Sequence, residues 1–192
     1  DRISGLVVLD IAPVRYEAGR DEAWGAVTAT IEALSGVELV CETKGEAKSK
    51  REVDRELRVG PLEDPALRAF VMTNLEQQRR KDKERGGGEL SWKINVQAIR
   101  DQLDVIAGFD LLRNDDDDDG GNGATASSSL RYEGDAFFIT GGSSRFVSQN
   151  HLPVIGTYFP NYMVTSIRGA GHWIHAEAPD DTLALVKRYL DR

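Results

Sequence analysis

The residue best suited by type and setting to move a proton is His172, in the run Gly169-Ala-Gly-His172-Trp173. An imidazole can take a proton from a hydroxyl and return it to a leaving group. The run follows the apolar stretch Tyr162-Met-Val-Thr-Ser-Ile167, so His172 falls just beyond the carboxyl end of an expected strand, where catalytic groups gather in parallel sheets. A histidine in a glycine-rich turn can also do no more than hydrogen-bond that turn. A general base of this kind requires an acid that fixes its tautomer and stabilises the imidazolium. Asp10, which ends Leu6-Val-Val-Leu9, can supply that charge; it can equally cap backbone amides ahead of Pro13. Asp135 precedes its strand and so lies at the opposite end of a sheet.

The nucleophile is harder to find. A catalytic serine is commonly held on a tight strand-to-helix turn framed Gly-x-Ser-x-Gly, and no such frame occurs in the 192 residues. Ser143 and Ser144, in Gly141-Gly-Ser-Ser144-Arg-Phe-Val147, lack it. Cys41 reads as an ordinary thiol before the loop Thr43-Lys-Gly45. His175 lies three residues past His172 and is expected to support or pack, and His151, before Leu152-Pro153, to be structural.

The elements that must position these groups follow from the apolar pattern. Leu6–Leu9, Ala136–Ile139 and Tyr162–Ile167 are short runs without alternation, which predicts strands buried on both faces of a parallel sheet. Trp24, Val27, Ile31 and Leu34 share one helical stripe. Asp64-Pro65 predicts a capped helix start, with Leu67, Phe70, Val71 and Leu75 on the buried side. Val96, Ile99, Leu103 and Ile106 form a third stripe capped by Asn95. A last helix from Pro179 presents Leu183, Val186 and Leu190, and the charged stretch from Ala47 to Leu57 is also expected to be helical. Gly86-Gly-Gly88 reads as a loop tip. Residues 114–130, with five consecutive aspartates, read as a disordered insertion that cannot bury apolar area; Asp115–Asp119 lack the spacing of a calcium loop.

The order strand, long helical excursion, strand, helix, strand, helix predicts an α/β chain. It corresponds to the last three strands of a doubly wound, mostly parallel sheet with a helical cap inserted after the first. The expected division is 1–19 with 131–192 as a partial core, 20–113 as a cap or lid, and 114–130 as the acidic insertion. A sheet ending at Leu6–Leu9 would leave an unpaired edge, which implies a missing neighbouring strand.

The net charge of −8 argues against a nucleic-acid surface, and Arg79-Arg80-Lys81 is diluted by Asp82 and Glu84. No apolar run reaches the roughly 20 residues of a membrane span. A single cysteine excludes an internal disulfide and CxxC metal sites, and fits a reducing, intracellular compartment. No metal or other cofactor is implied.

Together, Val7-Val-Leu-Asp10-Ile-Ala-Pro13-Val14, Phe70-Val-Met-Thr-Asn74-Leu75, Trp92-Lys-Ile-Asn95-Val96, Gly141–Val147 and Gly169-Ala-Gly-His172-Trp-Ile-His175-Ala-Glu resemble one branch of the α/β-hydrolase superfamily. That branch includes α/β-hydrolase domain-containing protein 11, YbfF-type esterases and fungal mitochondrial ethanol acetyltransferases. The resemblance implies a serine elbow on a strand beside Leu6–Leu9, a helical cap over an acyl pocket, and His172 with Asp10 as two members of a triad. In many α/β-hydrolases the acid follows the next-to-last strand in Gly-x-x-Asp-x-x-Val; here Ser144 takes that place, which favours Asp10 as the acid and leaves Ser144 to bond within its network. Trp173 and His175 stand as supporting residues. The expected parent is a serine esterase, thioesterase or alcohol acyltransferase acting on a small acyl ester or thioester, with this chain inactive alone. The alternative is a non-catalytic pseudo-hydrolase that binds a partner or ligand through its cap. A mitochondrial address is implied by the relatives only.

Overall fold

Strands without polar alternation need cover on both faces. Of the three apolar runs only Ala136–Ile139 obtains it in full, while Leu6–Leu9 is partly buried with Leu9 exposed, and Tyr162–Ile167 exposes Val164 and Ser166. The computed structural model describes residues 3–40, 47–60, 62–78, 89–109 and 131–192. Along the chain these hold β1 (Gly5–Leu9), α1 (Glu22–Ser35), α2 (Lys50–Val59), α3 (Pro65–Met72), β2 (Leu75–Gln78), β3 (Glu89–Trp92), α4 (Val96–Asp101), α5 (Leu103–Ile106), β4 (Asp135–Gly141), α6 (Leu152–Tyr158), β5 (Tyr162–Ile167), α7 (Ile174–Glu177) and α8 (Pro179–Leu190). A 3-10 turn, Gln149–His151, precedes α6. Cys41, Thr43–Gly45, the Arg79–Lys81 cluster, Gly86–Gly88 and the insertion at 114–130 lie outside the described residues.

The chain divides into two units, Asp1–Trp24 with Ala107–Arg192, and Gly25–Ile106. The sequence expectation put the boundaries at 19/20 and 113/114. The first unit carries a parallel sheet in the order β1-β4-β5. Leu9 stands opposite Ile139, and Thr140 opposite Ser166, so the carboxyl ends of all three strands open on the same edge. Period-two geometry sorts the side chains. Phe137 and Ile139 join Ile167, Ile174 and Tyr189 on one face, and Ala136 and Phe138 join Ala12 and Ile155 on the other. Among the described residues β1 pairs with β4 alone.

The second unit is not purely helical: β2 and β3 form an antiparallel pair with Leu75 opposite Trp92. Leu34, Val53, Leu57, Leu62, Val71, Leu75, Leu90 and Val96 make its core. The charged α2 starts on a capping box, Ser49 accepting from Glu52 N–H while the Glu52 side chain accepts from Ser49 N–H. The Asp64 side chain accepts from Ala66 N–H at the start of α3, and Asn95 from Ala98 N–H at the start of α4.

Three buried faces differ from the sequence stripes. In α3 the buried residues are Arg68 and Val71, while Phe70 is 54% exposed and Leu75 belongs to β2. Arg68 tolerates burial because Asp54, Leu62 O and Glu63 O accept from its guanidinium. The third stripe splits into α4 and α5, and Ile106 is exposed. On α8 Leu183 and Leu190 are exposed, and Thr182 and Tyr189 are the buried residues. The Tyr189 ring stacks on Phe137 and its hydroxyl donates to Asp135 O at 2.6 Å, an anchor that sets the helix rotation.

Candidate active site

Three loops leave the carboxyl ends of β1, β4 and β5 and meet around one carboxylate. Asp10 directly follows β1, and its N–H still donates to Ile139 O at 2.8 Å. Its backbone then turns into the left-handed region, φ 48°, a conformation that aspartate adopts more readily than most residues. Holding it there costs on the order of 1 kcal/mol, which the surrounding bonds offset.

The Asp10 carboxylate is 1% exposed. Its Oδ1 accepts from Gly141 N–H at 2.8 Å. Its Oδ2 accepts from the Ser144 hydroxyl and meets His172 Nδ1 at 2.8 Å. Three donors thus satisfy a charge that would otherwise be costly to bury. Ser144 Oγ also accepts from Phe146 N–H at 3.2 Å, which fixes the hydroxyl toward Asp10.

His172 is brought back toward Asp10 by a turn at Gly169, whose φ of +79° favours glycine. The loops after β4 and β5 then lie against each other, with Gly142 N–H donating to Ile167 O and Ser143 N–H to Ala170 O, both at 2.8 Å. Their closest approach is at Gly141, where a Cβ would overlap the Gly171 carbonyl and stand 2.7 Å from the Ala170 carbonyl. Glycine is required there by contact.

The Phe146 ring covers one face of the imidazole. Phe146 is itself held by Tyr16, whose hydroxyl donates to Phe146 O at 2.8 Å and accepts from Ala12 N–H at 3.0 Å. Burial, more than its neighbouring charges, pushes the Tyr16 hydroxyl up to about 12. With Nδ1–H directed at a carboxylate, the neutral ring leaves Nε2 as its acceptor. The His172 side chain is 39% exposed, and among the described residues Nε2 has no hydrogen-bond partner. The arrangement presents an oriented base whose free nitrogen can receive a proton.

The structure therefore brings together Asp10, Ser144 and His172. Trp173 precedes α7, and its N–H donates to Glu177 Oε1 at 3.2 Å. His175 is exposed on α7, which buries Ile174 instead, so the expected packing role is corrected. His151 Nδ1 lies 3.4 Å from Ser148 N–H, and its ring meets Tyr16 edge-on. Asp135 starts β4 at the amino end of the sheet, away from Asp10, and Ser143 is exposed. Sequence reasoning gave no role to Tyr16, Phe146 or Glu177. A glutamate in the first turn after the histidine loop was a usable signal for Glu177; nothing local distinguishes Tyr16.

No protein-family model matches the chain. It is 27% identical over 190 residues, 99% of its length, to the mouse sn-1-specific diacylglycerol lipase ABHD11, and 28% identical over all 192 residues to Esterase YbfF of Escherichia coli. Among solved structures, a marine microorganism esterase superposes with a TM-score of 0.73 at 26% identity, over 98% of this chain and 61% of that one. The chain is a homologue of the ABHD11 and YbfF branch of the α/β-hydrolases. Its fold corresponds to the C-terminal portion of the α/β-hydrolase sheet. It spans 52% of the mouse protein and 59% of the bacterial one. Among the described residues no helix is long and apolar enough to cross a membrane.

Proposed function

We propose that this chain carries the general base, His172, and the orienting acid, Asp10, of a serine ester hydrolase or acyltransferase, and that the attacking serine lies on residues beyond these 192. The observation that supports this reading is the buried Asp10 carboxylate bonded to His172 Nδ1, with Nε2 left open. Ser144 serves to hold Asp10, and Trp173 shapes the histidine loop.

The reaction follows from the free nitrogen. The serine oxygen bonds to the acyl carbon of a small ester or thioester as its proton passes to Nε2. Asp10 stabilises the resulting imidazolium. The tetrahedral adduct then breaks its bond to the leaving oxygen or sulfur, which takes that proton from Nε2. Water attacking the acyl-serine by the same route gives the acid; an alcohol gives a new ester. Serine is restored in both cases.

The test is direct. Residues 1–192 alone should take no fluorophosphonate label, and labelling of any serine among them would overturn the missing-nucleophile reading. Joined in frame to preceding coding sequence bearing Gly-x-Ser-x-Gly, the protein should hydrolyse p-nitrophenyl esters, and His172→Ala should abolish turnover. A gene with no such segment would instead favour a pseudo-hydrolase that binds a partner.

A further inference from the structure

The His172 ring hangs from residues 168–173, a segment that belongs to no helix or strand. The backbone N–H groups on either side of His172 both point to one side chain. Gly171 N–H donates to Glu177 Oε2 at 2.7 Å, and Trp173 N–H donates to Glu177 Oε1 at 3.2 Å. One carboxylate thus straddles the histidine. A Cβ on Gly171 would stand 2.9 Å from both carboxylate oxygens, so glycine is what lets the carboxylate seat against the loop.

The base of this clamp is firm. Glu177 ends α7, where its N–H donates to Trp173 O at 2.8 Å. Ile174 on the same short helix is fully buried, and its carbonyl accepts from the buried Thr182 hydroxyl of α8 at 3.0 Å. A carboxylate so anchored makes charge-assisted bonds to two donors, the stronger class of hydrogen bond. A proton-transfer group must be held within about 0.5 Å of its productive position, and a free loop does not achieve that.

We propose that Glu177 is a positioning residue for His172: by clamping Gly171 and Trp173 it fixes the loop so that Nδ1 stays on Asp10 and Nε2 faces outward. This rests on the reading of His172 as the base. Glu177 touches neither the ring nor the reacting atoms, so its effect should appear in the state of the imidazole.

The experiment is nitrogen and proton NMR on the 192-residue chain with labelled histidine. Wild type should show a single tautomer with a slowly exchanging Nδ1 proton. Glu177→Ala should speed that exchange on the order of tenfold, the expected cost of losing a charged hydrogen bond, while amide protection in β4 stays as in wild type. Glu177→Gln, which keeps one acceptor, should fall between the two. A purely structural role would lower protection of the ring and of β4 together, and that outcome overturns the proposal. So does unchanged ring exchange in Glu177→Ala when Asp10→Asn abolishes the protected proton; the base reading then survives. If Asp10→Asn also changes nothing, the base reading itself fails. Should Glu177→Ala not fold, Glu177→Gln decides: ring exchange equal to wild type overturns the clamp.

Discussion

The Phe146 ring lies against the His172 imidazole with centroids 3.8 Å apart and planes 25° from parallel. The same residue donates its N–H to Ser144 Oγ and accepts from Tyr16 through its carbonyl, so it ties the Asp10 network to the face of the imidazole. Phe146→Leu keeps most of the volume and removes the stacking. It should cost about 0.5–1.5 kcal/mol in urea unfolding and broaden the His172 ring signals. Unbroadened signals would show that the stack does not orient the ring.

Asp10 and Ser144 should separate by function. Asp10→Asn leaves the volume unchanged but loses the charge that fixes the ring, so in the active protein kcat should fall by about four orders of magnitude. Ser144→Ala removes one of three donors to a buried carboxylate and strands Phe146 N–H. It should cost about 1–3 kcal/mol of stability with a much smaller loss of kcat. Equal losses of kcat in the two variants, measured by steady-state ester hydrolysis, would place Ser144 in the proton path itself.

Gly141 stands where two loops touch, and any Cβ there meets backbone carbonyls that cannot rotate away. Gly141→Ala should therefore destabilise the chain by about 3 kcal/mol or more and detach Asp10 Oδ1 from the residue 141 N–H. Gly19 is a built-in control, since a Cβ there meets nothing within 4 Å. Gly19→Ala should melt close to wild type by circular dichroism.

Tyr16 predicts an alkaline transition. Burial raises its hydroxyl from the ordinary 10.0 to about 12, so the folded state holds its proton more tightly than the unfolded state. The contribution is complete below pH 10 and is lost as pH rises toward 12. Stability measured by urea titration should fall across that window. Tyr16→Phe should flatten the fall, and at pH 7 should cost about 1–3 kcal/mol because Ala12 N–H and Phe146 O lose their partner. An unchanged alkaline limb in Tyr16→Phe would assign the transition to another group.

Much of the fold was written locally. β1, β4 and β5 were legible because short unbroken apolar runs bounded by turn residues pair as strands, and the starts of α3 and α4 because Asp64 and Asn95 cap amides two or three residues away. The buried faces of α3 and α8 were not legible. Apolar periodicity ranks Phe70 over Arg68, and Leu183 over Thr182. Burial followed instead from specific polar partners: Asp54 and two carbonyls for Arg68, Ile174 O for Thr182, and Asp135 O for Tyr189.

The same division runs through the site. The types and settings of Asp10 and His172 marked a possible acid and a possible base, since each follows an apolar run that had to be a strand. That they meet across 162 residues of chain, with Ser144 beside them and Nε2 left open, was decided by strand order. So were the Phe146 stack and the tight passage at Gly141. Short-range propensity and periodicity are properties of neighbouring residues, so a sequence displays them. Which loop ends share a sheet edge depends on pairings distant in the chain, and only the packed structure fixes those.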